Sequence, residues 1–187
     1  KTRDVLYVSG IIKTTNDTLH LFVCHFPSRR GGKTTSEPFR MEVAQAIRAN
    51  IDSIFSTNAQ ANILVTGDFN DYPDDKSITE GLQAKSPTDT CNQCLVSLQD
   101  PLAEGTYKFQ GQWNFLDQSI VSTSFTKHYF VEYKVITEEG LLERSEKTGE
   151  ATPSRTYGGQ FYNGGFSDHL PITTSFTKKI GRASCRE

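Results

Sequence analysis

A carboxylate and a carboxamide stand two residues apart in the stretch Ile63-Leu64-Val65-Thr66-Gly67-Asp68-Phe69-Asn70-Asp71. In extended backbone, positions i and i+2 point to one side. Asp68 and Asn70 can therefore hold a water and a phosphate oxygen together. Asp168-His169 offers a second division of labour, one group for a metal and the other for a proton or for polarising an oxygen. Asp117 lies in the run Trp113 to Ser122, which reads as a buried strand. A carboxylate in such a strand is costly unless it has a partner, so it points to function. His25 ends an apolar run and opens the loop His25-Phe26-Pro27-Ser28-Arg29-Arg30-Gly31-Gly32. Guanidinium forks and free backbone N–H groups in such a loop suit phosphate. Ser28, Arg29 and Arg30 are therefore substrate-binding candidates, and the Gly-, Thr- and Tyr-rich stretch 147–165 adds Arg155 and Tyr157.

Each piece also has a purely structural reading. Asp68 to Asp71 is good Asx-turn chemistry. The arginine loop suits a solvated surface, and the long loop suits simple surface coverage. Asp117 can be a hydrogen-bonded edge residue. Taken singly, both readings stand. Taken together, polar groups at several sheet ends in one chain can converge on a single pocket.

The elements that must position them follow from periodicity. Asp4–Lys13 and Leu19–His25 alternate around the turn residues Thr15-Asn16-Asp17, which predicts a β-hairpin. Ser36-Glu37-Pro38 starts a helix whose apolar positions Val43, Ile47, Ile51, Ile54 and Phe55 carry it to about Thr57. Ile63–Thr66 is a strand covered on both faces. Short helices are expected over 76–84 and 89–98, and a short strand over 106–109. Further strands are expected over 113–122, 125–136 and 172–176. Residues 138–146 read as polar and helical, and 147–165 as loop.

Composition excludes several classes. The chain has 187 residues, 35% of them hydrophobic, with a net charge of −2. Its length suits one domain with a core, and no run approaches the roughly 20 apolar residues of a membrane helix. A slightly acidic balance gives no overall field to draw nucleic acid, although local basic loops can still do so. Of the four cysteines, Cys24 sits in an apolar strand and reads as core, and Cys91 and Cys94 form a lone CxxC. Zinc needs a second ligand pair, and none follows, so the spacing reads as incidental. The tail Ile180 to Glu187 matches the in-frame translation of a common sequencing-adapter oligonucleotide. It is expected to be a read artefact and is left out of fold reasoning. The compartment stays open.

In order and residue type, the segments Cys24-His25-Phe26-Pro27-Ser28, Gly67-Asp68-Phe69-Asn70, Trp113 through Asp117 to Ser122, and Ser167-Asp168-His169-Leu170-Pro171-Ile172 resemble the endonuclease/exonuclease/phosphatase superfamily with its DNase I-like fold. The resemblance covers nearly all of 4–178. It implies a four-layer α/β/β/α sandwich and metal-assisted hydrolysis of a phosphodiester or phosphomonoester. Mg²⁺ is the implied ion, with Mn²⁺ as a second candidate. The implied substrates are phosphoesters, either nucleic acid or a small phosphorylated metabolite. By the same resemblance Asp68 orients and deprotonates water, Asn70 positions phosphate or nucleophile, and Asp168 helps to ligate the metal. His169 contacts the phosphate with its tautomer fixed by Asp117, and His25 is a second phosphate contact or general acid.

One departure matters. The family's usual first Asn motif and its metal-binding Glu have no counterpart before His25, and Glu42 falls too late in chain order. Residues 1–179 are therefore expected to be the C-terminal part of the domain, missing its N-terminal half. Such a piece is expected to expose a sheet face and to be inactive or poorly soluble alone. A non-catalytic binding module that keeps the fold is the alternative, and the full set Asp68, Asn70, Asp117, Asp168 and His169 argues against it.

Overall fold

The computed structural model describes residues 3–89, 91–146 and 148–180. β1 (Leu6–Ile12) and β2 (Asp17–His25) form the expected hairpin, pairing from Leu6 with Val23 to Ile12 with Asp17. α1 (Lys33–Thr57) then returns the chain to β3 (Asn62–Asp68), which lies parallel to β2. The helix starts earlier than Ser36. Ser36 is buried, and its hydroxyl donates to Gly32 O at 2.7 Å rather than capping a free N–H group. At the other end the Asn58 N–H donates to Ile54 O at 2.8 Å.

β3 explains why its sequence is apolar without strict alternation. Ile63 and Val65 pack toward α1 with Val43, Ala44, Ile47, Ile51 and Phe55. Leu64 packs the other way with Val96, Val121, Phe125 and Tyr129. Both faces of the strand are covered, as its run of β-branched and aliphatic residues requires. A single π-type turn at Ser77–Gly81 follows, then β4 (Ala84–Lys85), β5 (Leu95–Ser97), β6 (Tyr107–Phe109), β7 (Gln112–Asn114) and β8 (Asp117–Ser122). One mixed sheet has the order β1-β2-β3-β8-β5-β4, and β6 and β7 form a separate hairpin.

The second face of that sheet is closed by α2 (Thr123–His128) and by the antiparallel pair β9 (Tyr129–Val135) and β14 (Ile172–Lys178). Phe125, Tyr129 and Phe176 pack edge-on at 5.0 to 5.7 Å. Small hairpins lie between these two strands: β10 (Leu142–Arg144) with β11 (Ala151–Pro153), and β12 (Tyr157–Gly158) with β13 (Phe161–Tyr162). The result is a mixed α/β sandwich. The described residues build its helix layer and its two sheet layers, and no second outer helix layer is formed among them. β1 leaves Leu6, Tyr7, Val8 and Ile11 exposed. No helix among the described residues is long and apolar enough to cross a membrane.

Several expectations need correction. The segment 89–98 is not a helix. Cys91 and Cys94 are joined as a disulfide, and Leu95, Val96 and Ser97 are a buried strand, with Val96 opposite Val121. The CxxC spacing is therefore used, to turn the chain into β5. The segment 113–122 is two strands broken at Phe115-Leu116, and Asp117 begins the second rather than sitting inside one. The segment 125–136 starts as helix, because the Ser122 hydroxyl caps it by accepting from the Phe125 N–H at 3.3 Å. Residues 138–146 hold β10, and 147–165 hold β11 to β13, where cross-strand pairing overrides a polar, Gly-rich composition. The tail from 181 onward lies outside the described residues.

Candidate active site

Sheet register assembles the site. β2, β3 and β8 are neighbours, and His25 lies opposite Asp68 while Asp68 lies opposite Asp117. Three candidate residues far apart in sequence thus form one cross-strand row. Cys24, one step before, turns into the α1 core. The row is tight because of Gly67, whose φ is +135°. A Cβ there would come to 2.0 Å from the Cys24 carbonyl oxygen. Only glycine permits this approach of β3 to β2.

Asp68 and Asn70 do meet, though not by the extended geometry expected. Asn70 has φ +50°. Its backbone N–H donates to Asp68 Oδ1 at 2.7 Å, and its Nδ2 donates to Asp68 Oδ2 at 2.8 Å and to Phe26 O at 3.1 Å. The Asx turn and the site are one object. His25 Nε2 stands 3.2 Å from Asp68 Oδ2.

His169 arrives from the other side, through a backbone bridge with Tyr107 in β6. Its Nδ1 lies 2.7 Å from Asp117 Oδ2, which leaves Nε2 for the cavity. The Tyr107 ring stacks on the imidazole with centroids 4.7 Å apart. Asp117 is itself fixed: its N–H donates to Thr106 Oγ1 at 3.1 Å, and its carbonyl accepts from the Tyr133 hydroxyl at 2.8 Å.

These groups line a cavity of about 740 Å³. His25, Ser28, Arg29, Arg30, Asp68, Asn70, Asp117, Asp168 and His169 all border it. Arg155 and Tyr157 do not. Arg155 donates from Nη2 to Lys108 O at 2.5 Å and lies 5.3 Å from the Tyr107 ring centroid, so it supports the wall from behind. Tyr157 sits in the exposed β12–β13 hairpin against Tyr162. Arg29 borders the cavity, yet two of its nitrogens are occupied. Nε donates to Asn70 O at 2.6 Å, and Nη2 reaches Asp71 and Asp75. Arg30 remains exposed. Residues that sequence reasoning missed are Tyr107, Phe109 and Asn114 on the β6–β7 hairpin, all of which border the cavity. Their available signal was the aromatic alternation Tyr107-Lys108-Phe109.

Electrostatics follow from burial and crowding. Burial raises the Asp68 pKa and the Asp117 charge adds to the rise, against the Asn70 N–H and the two histidines. Burial alone would lower the His169 pKa. The hydrogen bond that its Nδ1–H donates to Asp117 and the charges of Asp117, Asp68 and Asp168 outweigh it, and the value is raised. Burial pushes the Cys24 thiol far up, with Asp68 and Asp117 adding, so it is no nucleophile at neutral pH.

A metal fits here through oxygen. Donor atoms of Asp68, Asp117 and His169 lie within 4.8 Å of one another. The Asp117 charge disfavours that of Asp68, which a divalent cation would relieve. His169 already engages Asp117, and imidazole is a poor ligand for a hard ion. The carboxylates of Asp68 and Asp117 are therefore the fitting ligands. Asp168 lines the same cavity but falls outside that cluster.

Residues 1–178 match the sequence profile of the Endonuclease/Exonuclease/phosphatase family. Among solved structures, mannosyl-6-phosphatase from Bacteroides thetaiotaomicron aligns with 18% identity and a TM-score of 0.54, over 92% of this chain and 56% of that one. A mutant of Staphylococcus aureus beta toxin with bound magnesium ions aligns with 17% identity and a TM-score of 0.56, over 92% and 57%. Truncated Caenorhabditis elegans TDP2 aligns with 17% identity and a TM-score of 0.57, over 92% and 59%. At these identities the likeness is one of fold, and it is the DNase I-like fold. The chain spans less than two thirds of each of these three structures. No curated protein matches by sequence.

Proposed function

The chain belongs to the endonuclease/exonuclease/phosphatase family, and from that membership we propose that its protein is a Mg²⁺-dependent hydrolase of phosphodiesters or phosphomonoesters. The observation that carries this reading is the His169–Asp117 pair at 2.7 Å beside the partly buried Asp68–Asn70 turn, on one cavity wall. The magnesium in the beta toxin structure and the phosphatase name of a second fold neighbour support it.

Asp68 and Asp117 would hold the ion, with Asp168 on the same wall, and the ion supplies neutralisation of phosphate charge. Asp68 orients the attacking water and accepts its proton. Asn70 fixes the Asp68 carboxylate from both backbone and side chain. His169, held by Asp117 with Nε2 toward the cavity, donates to the phosphate in cationic form, which its raised pKa favours. His25 is placed for a second phosphate contact or for the leaving group. Ser28 and Arg30 offer further donors to the substrate.

The test is hydrolysis of phosphomonoester, phosphodiester and DNA substrates with Mg²⁺ and with chelator. It is run on this chain and on the longest natural polypeptide containing it. Asp68→Ala and His169→Ala should each abolish turnover with little change in melting temperature. Near-full activity in either variant overturns the assigned roles. Phosphate binding without turnover would favour a binding module. A steep loss of DNA cleavage with rising salt would mark a polyanion substrate.

A further inference from the structure

We propose that Arg29 is a positioning residue. With the buried Arg40–Asp71 pair, it locks the Asp68-Phe69-Asn70 turn in its reactive shape, acting through Asn70 and not on the phosphate. The inference rests on the hydrolase reading of the site above.

Asp71 follows Asn70 directly and is 1% exposed, and Arg40 in α1 is fully buried. Arg40 Nε stands 2.7 Å from Asp71 Oδ2. Arg40 also donates to Ser36 Oγ at 2.7 Å and to Lys33 O at 3.0 Å. Asp71 Oδ2 accepts from Ser77 Oγ at 2.7 Å, and the Asp71 carbonyl accepts from Gln118 Nε2 at 2.7 Å. Such a buried pair is weak evidence of a stability gain, because desolvation offsets the attraction. Its placement suggests a different use, which is to fix one conformation.

Arg29 connects this buried pair to the site. Its Nε grips the Asn70 carbonyl at 2.6 Å while Nη2 spans Asp71 Oδ1 at 3.3 Å and Asp75 Oδ2 at 2.9 Å. Its guanidinium lies 4.4 Å from the Tyr72 ring centroid. Three acceptors and a ring are met by one planar fork, which a lysine ammonium cannot reproduce. Asn70 stands at φ +50°, a region that asparagine enters more readily than other side chains, and the Arg29 and Phe26 contacts hold it there. The same residue clamps Asp68 from two sides. A shift at Asn70 O therefore moves the Asp68 carboxylate.

Arg29→Lys keeps the charge and removes the fork. A displacement of the reactive groups by about an ångström costs about a hundredfold in rate. The expected result is a kcat lower by about that factor with KM nearly unchanged. Asp71→Asn should act in the same direction, and the double variant should cost less than the product of the two. A raised KM with unchanged kcat would show Arg29 on the substrate and overturn the proposal. So would a lower melting temperature with unchanged kcat. If Arg29→Lys does not fold, Asp75→Asn at the partly exposed end of the network should lower kcat by a smaller factor, and an unchanged kcat there overturns the proposal. A second measurement needs no turnover: hydrogen exchange of the Asn70 side-chain amide by NMR, with exposed Asn50 as reference. Faster exchange at Asn70 in Arg29→Lys is expected, and an unchanged rate overturns the proposal. Absence of turnover in the wild type would count against the hydrolase reading alone, because the amide measurement still decides the positioning role.

Discussion

Asp68 and Asp117 are register partners across β3 and β8, so two partly buried carboxylates stand side by side at the end of the sheet. This arrangement works against stability in the absence of a cation, and burial together with the neighbouring charge raises the Asp68 pKa.

Asp68→Asn removes one of the two facing charges but puts an amide nitrogen where Oδ2 accepts from Asn70 Nδ2, so the metal-free stability should stay within about 1 kcal/mol of the wild type. Millimolar Mg²⁺ or Mn²⁺ should raise the wild-type melting temperature and leave that of the variant unmoved. At a hundredfold excess over Kd the stabilisation amounts to about 2.7 kcal/mol. Equal shifts in both proteins would remove Asp68 from the metal site.

Gly67→Ala should be among the most damaging single-methyl additions in the chain. The new Cβ would meet the β2 backbone at 2.0 Å, in a region of φ that side chains avoid. A loss of about 3 kcal/mol is expected in chemical denaturation. Gly10→Ala is the control: nothing lies within 4 Å of its Cβ position, and its effect should stay within about 0.5 kcal/mol. A mild Gly67→Ala would mean that β2 and β3 are not so closely apposed.

Asp17 gives a pH-dependent contact between the two sheets. Its carboxylate takes the Lys178 ammonium and the Tyr129 hydroxyl, and these hold its pKa down at about 2 against an ordinary 3.8. A depressed folded-state pKa contributes stability above the unfolded value, and that contribution is lost as pH falls through the folded one. The melting-temperature advantage of wild type over Asp17→Asn should thus be full above about pH 4 and vanish toward pH 2. It should also shrink with salt, because the pair is partly exposed. A difference that stays constant from pH 5 to 2 would sink this assignment.

The parts of the site legible in sequence are those carried by strand ends. Ile63–Thr66 reads as a covered strand because its residues face two cores, and His25 and Asp68 follow from the ends of such runs, whereas Asp117 reads as a carboxylate inside a strand that in fact it begins. The partner of a charge was not legible. Arg29 reads as a phosphate ligand because its loop is cationic and glycine-ended, while its acceptors on Asn70, Asp71 and Asp75 are more than 40 residues away. β5 was hidden because Cys91 to Cys94 reads as helix when the disulfide is unknown. β10 was hidden because Leu142-Glu143-Arg144 has helix-favouring residues, and pairing with Ala151–Pro153 decides its conformation.

Two phenylalanines tie the row of His25 and Asp68 to the core. Phe26 follows His25, Phe69 follows Asp68, and both side chains are fully buried, with ring centroids 4.9 Å apart. Their backbones are pinned as well: the Phe26 N–H donates to Asp68 O and the Phe69 N–H to Leu116 O, each at 2.8 Å. His25 and Asp68 are thus each followed by an anchor pointing the opposite way, as strand alternation demands. Phe69→Ala should cost about 4 kcal/mol, since it removes a full ring and leaves a cavity that backbone pinned on both sides cannot fill. Phe26→Ala should cost a similar amount. The double variant should lose less than the two together, by about 1 kcal/mol, because the rings touch each other. A urea-denaturation double-mutant cycle measures that difference directly, and strict additivity would show that the two anchors act independently.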